Sequence, residues 1–182
     1  AVKGITSIKG LSLITVEGRG MIGVPGIAAK LFAAVASEGI SVLMISQSSS
    51  EQNICFVIRQ ETTVQALAAL EASFELELVW RNVDRIWAHR EVAIIAVVGA
   101  GLNETPGVGA KVFGALGSRG INVISMAQGS SKYNLSLVVS EREADDAVRA
   151  IHQDIRLGEV NDSFRSSADH LPCTTRRYAS PT

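Results

Sequence analysis

Three groups of residues in this sequence have types and spacings that could do chemistry. Gly18-Arg19-Gly20-Met21-Ile22-Gly23 is a G-x-G-x-x-G run, which between a strand and a helix can bring a pyrophosphate against the helix N-terminus. Pro25-Gly26 and Pro106-Gly107 each precede an apolar pattern of helical period. The first N–H groups of such helices lack intrahelical partners and sit at a positive dipole end, which suits a small carboxylate. Gln47 and Gln128 each close an apolar run, and an amide that both donates and accepts can hold a hydroxyl or an ammonium. Either glutamine could equally be a polar residue at a hairpin. His89, His152 and His170 are scattered without a partner at ligand spacing, so neither a metal site nor a triad is supported. Cys55 lies in an apolar strand pattern and Cys173 in a polar tail, which reads as two reduced thiols.

The dinucleotide reading of the glycine run fails on its surroundings. Pro25 follows at once, and the second copy of the pattern (Gly99-Ala100-Gly101-Leu102-Asn103-Glu104) has no third glycine. The run Ile40 to Ser46 ends in Gln47 rather than in an acidic residue for a ribose. A free amino acid suits the helix starts better, its carboxylate on the N–H groups and the rest of it held by side-chain oxygens.

What positions these groups is a duplication. Pro106 lies 106 − 25 = 81 positions after Pro25, and at that offset Lys30 matches Lys111, Phe32 matches Phe113, Gln47 matches Gln128 and Asn53 matches Asn134. Leu11 to Gln60 aligns with the second copy without a gap at roughly two identities in five, a fixed-period self-similarity that marks a repeated supersecondary unit. The first copy reads as a strand from Leu11 to Glu17, a helix from Pro25 in its first turn, and Gly39 as its terminator. A strand from Ile40 to Ser46, a returning strand from Asn53 to Arg59, and a helix capped by Thr62-Thr63 follow. That helix turns Val64, Leu67, Leu70 and Phe74 inward, and a strand over 83–88 closes a β-α-β-β-α-β unit. The second copy has strands over 92–98, 121–127 and 133–139, a helix from Pro106, and a last helix opened by a Ser140/Glu143 capping box, with Ala144, Val148 and Ile151 inward.

No fourth strand follows His152, yet a spare one precedes the first copy, Val2 to Ile8, ended by Lys9-Gly10. The economical arrangement inserts the first unit in the second through this N-terminal strand. The domains expected are 11–89, then 2–8 with 90–157, and a flexible tail over 158–182 that is polar and aperiodic. Lys30 and Lys111 are expected to be solvated, and Phe32, Phe113, Trp80 and Trp87 to lie in a core or interface. The chain is 47% hydrophobic and 19% charged with a net charge of −1, which gives no reason to expect nucleic acid or a membrane surface. A cytoplasmic protein is expected, and because the sequence begins at Ala1, a piece of a longer one.

The segments VPGIAAKLFAAVASEGISVLMISQSSSEQNI and TPGVGAKVFGALGSRGINVISMAQGSSKYNL, set in two tandem units, resemble the paired ACT modules of the C-terminal regulatory region of aspartate kinases. The resemblance covers roughly 2–155 and extends to the bifunctional aspartokinase–homoserine dehydrogenases. It implies an α+β fold of two ferredoxin-like modules with antiparallel sheets. It also implies feedback inhibition by threonine or lysine of the kinase that makes 4-phosphoaspartate. The effector site so implied uses Met21, Gly23, Val24, Gly26, Ile27, Ala28 and Gln47, with Ile121, Asn122 and Val123 from the second module. Gln128 resembles a second threonine-contacting glutamine. Such sites form where modules pair, so a homodimer is implied. Lysine-sensing relatives can carry an acidic residue where this sequence has Leu43, so threonine is favoured. The nucleotide site of the kinase domain has no counterpart here, so no catalytic residue, cofactor or metal is expected in this chain. ATP and Mg would belong to the kinase domain, the expected partner. A dimerisation scaffold with empty loops is the alternative.

Overall fold

The computed structural model describes residues 2–48, 52–100, 102, 104–128 and 134–155. Its strands are β1 (Val2–Glu17), β2 (Met44–Gln47), β3 (Asn53–Arg59), β4 (Arg85–Gly99), β5 (Ser125–Ala127) and β6 (Asn134–Ser140). The helices are α1 (Ile27–Ser37), α2 (Thr63–Ser73), α3 (Glu75–Val79), α4 (Val108–Gly117) and α5 (Ala144–Asp154). All pairings are antiparallel, in the order β2-β3-β1-β4-β6-β5.

Two strands serve both copies. Residues 11–17 of β1 pair with β3 on one side and with 85–89 of β4 on the other. Residues 4–8 pair instead with 94–98 of β4, completing the sheet of the second copy. The N-terminal strand therefore closes the second module, as the spare-strand argument requires. Lys9-Gly10 does not end a strand, however: the ladder to β4 resumes at Leu11 after a register shift, and the two expected runs form one bent strand. The runs over 83–88 and 92–98 likewise merge into β4. The bends fall at positions equivalent in the repeat, Gly10 with φ of 70° and Glu91 with φ of 55°. Each bend N–H finds an acceptor at an equivalent place: Gly10 donates to Glu141 Oε2 at 3.0 Å and Glu91 to Gln60 Oε1 at 3.0 Å.

Strand alternation sorts the apolar residues into three cores. Ile14, Val16, Ile54, Phe56 and Ile58 face α1 and α2 with Leu31, Val35, Ala66, Leu70 and Phe74. Ile95, Val97, Leu135, Leu137 and Val139 face α4 and α5 with Val112, Leu116, Ala147 and Ile151. Residues of opposite parity, Leu11, Leu13, Met44, Val57, Val92, Ile94 and Val138, form a third core without a helix. It joins equivalent positions of both copies, so the bends turn one half of the sheet onto the other. The two end strands meet there, where Ser46 Oγ donates to the Met126 carbonyl at 2.8 Å.

Several local expectations differ from what is seen. The helices begin at Ile27 and Val108, after Gly26 and Gly107 in the left-handed region with φ of 91° and 84°. Pro25 and Pro106 thus lie outside the helices; a proline followed by a glycine of this φ suits a type II turn. The Thr62 and Ser140 side chains cap nothing. Thr62 and Thr63 donate backward to the Arg59 and Gln60 carbonyls, and Glu141 is engaged at the bend. Both second helices are instead entered through a 3-10 turn. Val64 points to solvent while Thr63 and Ala66 take its inward place. β2 begins only at Met44, because Ile40 turns into the core after Gly39. Trp80 and Phe113 are exposed rather than core, whereas Phe32 meets the Phe56 ring edge-on at 5.8 Å. The short helix α3 has no counterpart among the expected elements. Tyr133, Cys173, His170 and the expected tail over 158–182 lie outside the described residues.

Candidate functional site

The glycine run is a structural crossing. A Cβ on Gly18 would sit 2.3 Å from the Asn82 carbonyl oxygen, and one on Gly20 would sit 2.5 Å from Asn82 Cα. The segment entering β4 lies directly against this loop, and only residues without a side chain let the two backbones come so close. Arg19 N–H donates to Asp84 Oδ2 at 3.2 Å and Asp84 N–H to the Glu17 carbonyl at 2.8 Å, fastening the crossing. Gly23, by contrast, is in the left-handed region with φ of 68°, and turns the loop toward α1.

That turn shapes a cleft of about 340 Å³ lined by Met21, Gly23, Val24, Pro25, Gly26, Ile27, Ala28, Gln47 and Ile54. Seven of these, Met21, Gly23, Val24, Gly26, Ile27, Ala28 and Gln47, are the site residues of the first module expected from the sequence. Met21 and Ile54 are buried and form its floor; Val24 and Gln47 are exposed at its mouth. Gly26 has no side chain to cap α1, so the first-turn N–H groups, those of Ile27 and Ala28 among them, are left for an outside acceptor. Among the described residues no acidic or basic side chain lines the cleft. A bound anion would therefore rest on backbone N–H groups and the helix dipole, with the Gln47 amide as the side-chain partner.

Pro25 and Ile54 are lining residues that the sequence reading does not include. Ile54 could have been found from the hairpin, since it pairs with Gln47 across β2 and β3. The expected residues of the second module do not join the cleft. Ile121 is buried in the core beneath α4 and α5, Val123 packs against that core, and Asn122 is exposed. Gln128 follows β5, exposed, at the position equivalent to Gln47.

A larger opening of about 570 Å³ lies at the strand bends, among Lys9, Gly10, Gln60, Glu91, Ser140, Glu141, Arg142 and Asp145. Two of its polar side chains, Gln60 and Glu141, hold the bends. Lys9 pairs with Asp145 at 2.8 Å, and that hydrogen bond and charge hold the Asp145 carboxyl below the usual range. Among the described residues no group of His, Cys, Asp and Glu could hold a metal ion, and no helix is long and apolar enough to cross a membrane.

An ACT-domain profile matches residues 14–74 and again 95–155. The regulatory subunit of aspartate kinase from Thermus thermophilus superposes with a TM-score of 0.71 at 33% identity, over 85% of this chain and 99% of that one. The chain belongs to the ACT-domain regulatory regions of aspartate kinases. Among curated relatives, the bifunctional aspartokinase/homoserine dehydrogenase of Daucus carota is 44% identical over 152 residues, which is 83% of this chain and 16% of that protein. The corresponding enzyme of Haemophilus influenzae is 40% identical over 152 residues, 84% of this chain and 19% of that protein. The chain thus spans less than a fifth of the length of these two relatives. Its two ACT modules are the copies described above, and the cleft sits at the loop before the first helix of the first module.

Proposed function

We propose that the chain is the amino-acid sensor of an aspartate kinase and that threonine, bound in the cleft of the first ACT module, is its effector. The observation that carries this is the cleft itself: uncapped helix N–H groups, an amide at the mouth and an apolar floor, with no charged side chain in the lining. The α-carboxylate meets the N–H groups of Ile27 and Ala28, Gln47 takes the ammonium or hydroxyl, and the threonine methyl lies toward Met21 and Ile54. Lysine would bring a second ammonium to a lining without a carboxylate, where losing hydration goes uncompensated.

Ile121, Asn122 and Val123 complete the site in this reading when a second copy of the chain pairs side by side with the first and covers the cleft mouth. Gln128 serves an equivalent site in the second module. Phosphoryl transfer to aspartate, with ATP and Mg, belongs to the kinase domain, which this cytoplasmic sensor inhibits.

The test is titration calorimetry of the chain with threonine and lysine, with sedimentation of the same samples. Threonine binding, weakened roughly ten- to hundred-fold by Gln47→Ala, is the expected result, since removing one polar partner of a small bound ligand costs on the order of 1–3 kcal/mol. Lysine binding in its place overturns the effector. A dimer that binds neither leaves only a pairing scaffold.

A further inference from the structure

The donors of the cleft can serve a ligand only if the first turn of α1 holds their direction. The Ile27 N–H shares a peptide plane with the Gly26 carbonyl, and that carbonyl accepts the Lys30 N–H at 2.9 Å. Gly26 itself offers no side chain to brace the turn. Lys30 lies one turn on, along the same side of the helix as Gly26 and Ile27, and its side chain is tied down. Its ammonium pairs with Glu77 of α3 and lies 5.0 Å from the centre of the Phe74 ring. Glu77 Oε2 is buried and meets no hydrogen-bond partner among the described residues, so Lys30 is the cation that compensates this carboxylate.

Glu77 also holds the opposite wall. Its carbonyl accepts the N–H groups of Asn82 at 2.8 Å and Val83 at 3.1 Å, across a turn in which Arg81 takes a left-handed φ of 57°. Asn82 lies against Gly18 and Gly20, and Met21, next in that loop, lines the cleft. One residue thus meets α1 through its side chain and the glycine loop through its backbone. In the second module the Lys111 N–H donates to the Gly107 carbonyl at 3.0 Å in the same way. At the 81-residue offset, however, Glu77 corresponds to Gly158, so the repeat does not carry the carboxylate over.

We propose that Lys30 and Glu77 are positioning residues of the effector site. Their ion pair sets the rotation and height of the first turn of α1 against the glycine loop, and so aims the Ile27 and Ala28 N–H groups at an effector carboxylate. This rests on the sensor reading above. Neither side chain lines the cleft, so the pair acts through the backbone that it fixes. A site ordered before its ligand arrives loses less freedom on binding and holds the ligand more tightly.

Titration calorimetry and backbone amide resonances of the 182-residue chain test it. Lys30→Met should weaken threonine binding about ten-fold and shift the Ile27 and Ala28 amide resonances of the ligand-free chain. Lys30→Arg, which keeps the charge, should restore both. Because the two residues form one contact, Lys30→Met combined with Glu77→Gln should bind no more weakly than Lys30→Met alone. Ile151→Val, in the core of the second module, separates positioning from stability: it should lower melting and leave the affinity unchanged. Parental affinity in Lys30→Met overturns the proposal, as do losses that add in the double variant or an equal loss in Ile151→Val. If Lys30→Met does not fold, Glu77→Gln is read in its place, where weaker binding with shifted resonances supports the proposal and parental values overturn it. A parent chain that takes up no threonine removes the sensor reading instead, and the ligand-free resonances still decide whether the pair orients the first turn.

Discussion

Gly20→Ala separates a structural role of the glycine run from a phosphate-binding one. The added Cβ would lie 2.5 Å from Asn82 Cα and 2.9 Å from both Asn82 oxygens. An ordinary separation requires the two backbones to part by roughly 1 Å. Neither is free to do so. Asn82 is held to Glu77 and the adjoining Asp84 to Glu17 by backbone bonds of 2.8 Å each, while Met21, next in the loop, is buried beneath α1. Forcing atoms into a packed site costs about 1–3 kcal/mol, which for a domain of this size lowers Tm by roughly 2–4 °C per kcal/mol. The assay is thermal unfolding of Gly20→Ala beside Gly4→Ala, because a Cβ on Gly4 meets nothing within 4 Å. The first should melt several degrees below the parent, and the second at or slightly above it. Equal melting of all three would refute the close crossing, and a NAD-dependent rise in the parent would revive the phosphate reading.

Glu91→Gly should stabilise the chain by up to about 1 kcal/mol, because a side chain held in the left-handed region is strained and the equivalent bend already uses glycine; denaturant unfolding checks it. The Lys30–Glu77 pair sets an acid dependence. The folded Glu77 carboxyl titrates below its ordinary value of 4.5, so its contribution is complete above that pH and is lost as pH falls through the lowered value. Glu77→Gln should therefore flatten the acid limb of the stability profile and leave its slope near neutrality unchanged. A steep acid limb that persists in the variant would assign it to other carboxylates.

The repeat made the fold legible, because the 81-residue offset fixed which strands were equivalent and exposed the second module's missing strand. Periodicity also found the inward residues Leu70, Phe74 and Ile151 without difficulty. It failed where a short polar interaction decided the outcome. Val64 is inward by spacing, but the 3-10 turn at Gln60–Thr62 rotates α2 so that Thr63 and Ala66 face the core. The capping box of Ser140 and Glu143 is present in sequence and unused, since the 3-10 turn Glu141–Glu143 stands between Ser140 and the start of α5. Lys30 reads as solvated because its partner, Glu77, lies on a helix too short to show a period. The cleft was readable as a loop before a helix, whereas Ile54 needed the register of the hairpin.

The shared strands also impose an order of events during synthesis. Residues 11–89 contain every strand of the first module, which can close as soon as 85–89 emerge. Val2–Ile8 joins only a few residues later, through 94–99 of the same strand, whereas β6, the neighbour on the other side of 92–98, begins only at Asn134. Throughout that interval the β6-facing side of 92–98 is an unpaired edge attached to a finished sheet, the kind of template on which another nascent chain can pair. Lys3 and Lys9, at either end of Val2–Ile8, place positive charge beside the opposite edge, which takes no partner strand among the described residues, and oppose such pairing there.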